Sequence, residues 1–94
     1  IDNAKNHYLL AEKLWNDKKY TAAVSEFEKV INKDPNGKLG LQALFRAATT
    51  QFLFLSQYSD AVQKFKAFTQ RSSDVSAIWE AQLQIGEILF NKLE

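Results

Sequence analysis

The 94-residue chain contains no cysteine, no methionine, one proline, three glycines and one histidine. Without thiols it can build neither a disulfide framework nor a Cys-ligated zinc site, and it has no thiolate nucleophile. A single imidazole, His7, has no second His or Cys to share a metal, so a structural role is the simpler reading for it. So few Gly and Pro argue against a turn-rich all-β fold. An excess of one charge is also missing: 12 basic against 11 acidic residues give a net charge of +1. No large field therefore favours nucleic acid or an anionic membrane. No apolar run approaches the roughly 18–20 residues of a membrane span. A secretory signal is absent, and residue 1 is Ile. These features, with the unstopped ending Phe90-Asn91-Lys92-Leu93-Glu94, read as a piece cut from a longer chain.

What is present is a folded composition, 46% hydrophobic and 24% charged, with a helical period throughout. Ala4, His7, Tyr8, Ala11, Leu14 and Trp15 recur at i, i+3, i+4 and i+7, which predicts a first amphipathic helix. Tyr20, Ala23, Val24, Phe27, Val30 and Ile31 predict a second, with Thr21 as its cap. Asp34-Pro35-Asn36-Gly37 ends it. Leu41, Leu44, Phe45, Ala48, Phe52 and Leu55 mark a third. Its stretch Phe52-Leu53-Phe54-Leu55 is apolar all round, so this helix is expected to be central and covered on most sides. Tyr58, Ala61, Val62, Phe65 and Phe68 mark a fourth, with Ser59 as cap and Asp60 paired to Lys64 at i, i+4. Val75, Ile78, Trp79, Gln82, Ile85, Gly86, Leu89 and Leu93 mark a fifth. Gly86 inside that helix suggests close approach of another backbone.

The helices repeat. Tyr20-Thr-Ala-Ala23-Val24-Ser-Glu-Phe27 matches Tyr58-Ser-Asp-Ala61-Val62-Gln-Lys-Phe65 at an offset of 38 residues. Leu10-Ala11-Glu12-Lys-Leu14 matches Ile85-Gly86-Glu87-Ile-Leu89 at 75 residues, two periods later. Helix pairs at a fixed spacing predict a stacked solenoid, in which one pair alone cannot bury its apolar face. The small residues Ala11, Gly86, Ala23 and Ala61 allow the helices to approach. Tyr20 and Tyr58 plug the turns, and Phe27 and Phe65 fill the space between repeats. In the third helix the small position is Thr49 when counted back from Tyr58, and Ala48 when counted from Ala43.

These residues resemble the tetratricopeptide repeat (TPR) family. Its small residue in helix A, aromatic at the turn, Ala then Phe in helix B and closing Pro are met by Ala11, Tyr20, Ala23, Phe27 and Pro35. Thr49, Tyr58, Ala61 and Phe65 follow, with Ser73 where the Pro would stand, and a third helix A surrounds Gly86. The resemblance implies an all-α helical solenoid of about two and a half repeats. Its five antiparallel helices would share a right-handed superhelical twist, as repeats of about 4–37 and 42–75 and a half repeat of about 76–94. The 37–38-residue period exceeds the usual 34. In this the junctions near Pro35–Arg46 and Ser72–Glu87 are similar to the long-period repeats of bacterial envelope proteins such as the YbgF and BamD families. That implies a periplasmic or cell-envelope lipoprotein setting, with the cytoplasm as the alternative.

By the same resemblance, helix A residues line a concave groove that binds a protein or peptide partner. The groove would show Lys5, Tyr8, Leu9, Glu12, Trp15 and Asn16, then Ala43, Arg46, Ala47, Thr50, Leu53 and Phe54, then Glu80, Leu83, Gln84, Glu87 and Phe90. Tyr8, Trp15 and Phe54 are aromatic anchors of the hot-spot type. Arg46, between Glu12 and Glu87, is the main polar reader or simply their ion-pair partner; packing or solvated surface is the competing reading for the whole set. The Lys and Asn of a chaperone-binding carboxylate clamp are replaced by Tyr8, Glu12 and Ala47. Glu26, Glu28, Asp34 and Asp60 fall on faces expected to be exposed, with no paired carboxylates for acid–base work. Lys64, Lys66 and Arg71 read as a solvated basic face rather than an RNA surface. No catalytic residue, cofactor or metal site is assigned. The last helix offers an alternative role: Ile85, Leu89 and Phe90 form an open end, with Trp79, Leu83 and Leu93 nearby, suited to self-association into a homo-oligomer.

Overall fold

A computed structural model describes residues 3–92. Five helices run in order: α1 Ala4–Asn16, α2 Tyr20–Lys33, α3 Lys38–Leu53, α4 Tyr58–Arg71 and α5 Val75–Asn91. Among the described residues there is no strand. Each helix packs on the next in sequence, and α1 also touches α3. The body is a slab of 42 × 29 × 17 Å.

The starts of the helices follow two chemistries. Asn3 caps α1 by accepting the Asn6 N–H at 2.9 Å, and Asp74 caps α5 by accepting the Ala77 N–H at 3.2 Å. For α3 the cap is supplied from a distance: the Asp34 carboxylate accepts the Gly40 N–H at 3.3 Å. Gly40 must be glycine, because a Cβ there would overlap the Asp34 carbonyl. Contrary to expectation, neither Thr21 nor Ser59 caps a helix; α2 and α4 begin after Lys19 and Gln57 with no side-chain cap. The preceding turns carry the constraint instead. Lys18 and Ser56 sit in the left-handed region at φ 64° and 54°. Lys18 N–H donates to Trp15 O and Lys19 N–H to Leu14 O, the paired bonds of a Schellman end.

The second turn is one residue wider. Gln57 N–H reaches Gln51 O, six residues back, where Lys19 reaches five back to Leu14. The offset between repeats is therefore 37 before this turn and 38 after it. This places Ala48, fully buried, opposite Ala61, whereas Thr49 is half-buried and bonds its own helix at Phe45 O. Ring contacts repeat in step. Tyr8 meets Phe27 edge-on at 5.5 Å, and Phe45 meets Phe65 at 5.4 Å. Trp15 meets Tyr20 at 5.8 Å, and Phe52 meets Tyr58 at 6.3 Å.

The core has two centres joined by α3. One surrounds Phe27 and includes Ala11, Ala23, Val24, Val30, Ala43 and Ala47. The other surrounds Phe65 and includes Leu44, Ala48, Phe52, Ala61, Val62, Phe68, Ala81 and Ile88. Thus α3 is covered on two faces, as its sequence implied, but its last residues are not: Leu53 and Phe54 are exposed, because the helix stops at Leu53 and the chain turns away. Lys64 pairs with Glu28 of α2 at 3.0 Å rather than with Asp60, since α2 offers a carboxylate across the α2–α4 seam.

In α5 the inward face also departs from expectation. Ala81 and Ile88 are buried, with Ala77 and Ile85 packed beside them against α4. Trp79, Leu83, Leu89 and Phe90 remain exposed. Ile85, expected at the open end, is thus part of the α4–α5 contact. A Cβ at Gly86 would meet nothing within 4 Å, so no backbone approaches it. Leu93 lies outside the described residues.

Candidate partner-binding surfaces

The groove residues divide into two groups. Glu12, Trp15, Arg46, Thr50 and Phe54 converge where α1 crosses α3. Thr50, buried, uses its hydroxyl twice: it donates to Arg46 O at 2.7 Å and accepts the Trp15 indole N–H at 3.1 Å. The Arg46 guanidinium donates to the Glu12 carboxylate at 3.3 Å and stands 5.4 Å from the Trp15 ring centre and 5.2 Å from that of Phe27. Phe54 packs edge-on against Trp15 at 5.8 Å and stacks on Tyr20 at 4.2 Å. These side chains hold one another. Each contact is modest, an exposed ion pair being worth about 0–1 kcal/mol and a cation–π contact about 0.5–2 kcal/mol. Together they fix the orientation of Arg46.

Arg46 also borders the second group. A cleft of about 600 Å³ opens beside it, lined by Tyr8, Leu41, Phe45, Phe68 and Ala77, with Lys38, Gln42 and the Ser72–Asp74 turn at its rim. The floor is apolar and the rim carries two cations and one carboxylate. Of the sequence-derived set, only Tyr8 and Arg46 face this cleft. Leu41, Phe45 and Phe68 occupy packing positions in the helical period; the gap between α1 and α5 that opens beside them depends on how the helices splay and leaves no sequence signal. Glu87 lies on α5, and no ion pair among the described residues joins it to Arg46. Ala43 and Ala47 are buried under α1 and α2. Lys5, Leu9, Asn16 and Leu53 are exposed, and Glu80 accepts a bond from Gln84 at 2.8 Å.

His7 and Glu26 form a third feature. Glu26 is buried, not exposed as its place in the helical period suggested, because α1 covers that side of α2. His7 Nδ1 donates to one carboxylate oxygen at 2.6 Å and Lys29 to the other at 2.8 Å. The Lys29 hydrogen bond, aided by that of His7 and by both charges, holds the Glu26 carboxyl below its ordinary pKa, against the opposing effect of burial. Among the described residues, no group of three or more His, Cys, Asp or Glu is placed to hold a metal ion. No helix among them is long and apolar enough to cross a membrane.

Comparison with known protein families, curated proteins and solved structures yields no match to this chain.

Proposed function

We propose that this chain is a tetratricopeptide-type helical array acting as a non-catalytic protein–protein interaction module, which captures a segment of a partner in the cleft between α1, α3 and the start of α5. The observation that carries the reading is the cleft itself: a preformed apolar floor of Leu41, Phe45 and Phe68 beside a guanidinium oriented by Glu12 and Trp15. Ligand sites of this kind combine apolar walls with a few placed polar groups. An apolar side chain of the partner would fill the floor. A carboxylate or backbone carbonyl beside it would meet Arg46 or Lys38, bidentate contact favouring Arg46. The paired ring contacts at a 37–38-residue spacing support the repeat architecture, and the long period supports a bacterial envelope setting.

The test is selection of peptides from a random display library on the folded chain. Enriched peptides should perturb the amide signals of residues 41–46 and 72–77 and lose binding on Arg46→Glu. Failure to select any peptide, or binding indifferent to Arg46→Glu, sinks the reading.

A further inference from the structure

A second cavity, of about 280 Å³, lies between α2, the α3–α4 turn and the start of α4. It shares no residue with the cleft. All the residues that line it fall between Thr21 and Asp60, so it is built by the middle of the sequence. Gln51 is the informative one. It is 3% exposed and borders the cavity. Its Nε2 donates to Gln57 Oε1 at 3.1 Å. Its own Oε1 is the one buried side-chain N or O atom among the described residues with no hydrogen-bond partner. Folding alone does not call for an amide here: 37 residues earlier the place is held by Leu14, which packs on the first core. A buried acceptor without a donor destabilises the free chain, and a donor arriving there removes that penalty.

The rest of the lining says what kind of donor fits. Thr21, Ser25 and Glu28 stand at i, i+4 and i+7 on one face of α2 and bring two hydroxyls and a carboxylate to the cavity. Asp60 brings a second carboxylate from the first turn of α4. Glu28 is paired with Lys64 at 3.0 Å, whereas Asp60 has no ion pair among the described residues. Two carboxylates against the single cation Lys64 leave one negative charge in excess, which repels an anion and favours a cationic donor. Two carboxylates, one of them already paired, are too few to hold a metal ion. Val24 and Leu55 add a short apolar wall suited to methylene groups.

We infer that this cavity binds a primary alkylammonium group, of a free amine or of a lysine side chain. The three N–H donors of the ammonium match the acceptors present: Gln51 Oε1, the Asp60 carboxylate and the Thr21 or Ser25 hydroxyl. Its aliphatic stem lies against Val24 and Leu55. Gln51 Oε1 is shielded from solvent, and the neighbouring Gln57 is exposed, so the ammonium enters as the Gln57 side chain shifts. The amide at position 51 is then a binding group kept at the expense of stability in the free chain.

The probes are n-butylammonium and Nα-acetyl-lysine N-methylamide, titrated at low salt and neutral pH into the folded, isotope-labelled chain, with butanol and butyrate as matched controls. Both cations should saturably shift the NMR signals of the Gln51 side-chain amide and of the backbone amides of residues 57–60, and neither control should. Tighter binding of the lysine derivative names a lysine side chain as the source; tighter binding of butylammonium names a free amine. Gln51→Leu should weaken binding about tenfold or more, through loss of a buried hydrogen bond to a charged group, while raising the thermal midpoint of the free chain. Asp60→Asn, at an exposed position, should weaken it about two- to fivefold. Arg46→Glu, in the cleft, should change neither affinity. Absence of a saturable shift overturns the inference. So do equal shifts from butanol or butyrate, and binding indifferent to both Gln51→Leu and Asp60→Asn.

Discussion

Helices α3 and α5 are the same kind of element in two situations. α5 is the more apolar of the two, yet α3 has eight buried residues and α5 has two, Ala81 and Ile88. The difference lies in neighbours rather than composition. α3 stands between α2 and α4 and offers Ala43 and Ala47 to one, Leu44, Ala48 and Phe52 to the other. Among the described residues, α5 has a helix on one side. Burial is thus a property of position, and an apolar helix at the edge keeps its outer stripe exposed.

The largest test of that contrast sets a central ring against an edge ring. Phe65→Ala should lose about 3–5 kcal/mol, because the residue is fully buried at the centre of the second core and its ring meets Phe45 of α3. Phe90→Ala, at 74% exposed, should stay within about 0.5 kcal/mol. Urea unfolding of the two variants measures both, and comparable losses would show that α5 is covered after all. The two helical glycines come next. Gly40→Ala drives a methyl into the Asp34 backbone and should cost about 1–3 kcal/mol. Gly86→Ala meets open space and should add about 0.5–1 kcal/mol through helix propensity. A loss at Gly86 would reveal a close neighbour there.

A smaller effect compares the two turns. Gln51 occupies the place of Leu14, 37 residues later, and its buried Oε1 has no hydrogen-bond partner. Gln51→Leu should therefore stabilise by about 1 kcal/mol in the same unfolding assay, since an unsatisfied buried polar atom costs about 1–3 kcal/mol. The smallest expected effect concerns pH. The folded-state pKa of Glu26 is depressed, so its contribution is present above the ordinary carboxylate range and is lost as pH falls through the folded value. Glu26→Gln should flatten that part of the acid limb of thermal stability while leaving the Phe65 core intact. An unchanged acid limb would show that the His7–Glu26–Lys29 contacts do not couple to folding.

Much of the fold was legible because helical period and turn chemistry are local. The five helices, the Asp34–Gly37 break and the buried Phe27 and Phe65 all follow from spacing. Where reading failed, two solutions had equal local merit. Thr21 and Ser59 are good caps in isolation, yet after the left-handed Lys18 and Ser56 the helices start two residues earlier, from Lys19 and Gln57. Asp60 is well placed for Lys64 within α4, but Glu28 across the interface is the partner formed. For α5, apolar residues occur nearly all round the helix, so periodicity alone does not choose between the stripe Ile78-Gln82-Leu89 and the stripe Ala77-Ala81-Ile85-Ile88 that packs inward. The candidate cleft was half-visible: Tyr8 and Arg46 were identified, but Leu41, Phe45 and Phe68 were assigned wholly to packing.

The sequence by itself determined the number of helices, their limits within about three residues, the 37–38-residue offset and the identity of the central rings. Those properties rest on residues that interact within one or two helical turns. Only the tertiary structure decided which side of Glu26 is covered, how Arg46 is held, where the cleft opens and which stripe of α5 is left bare. Each depends on side chains from helices distant in sequence meeting at one place, and on how far apart the helix axes stand. A single chain read in order does not encode those distances locally; close packing of Ala48 on Ala61 and of Phe45 on Phe65 sets them.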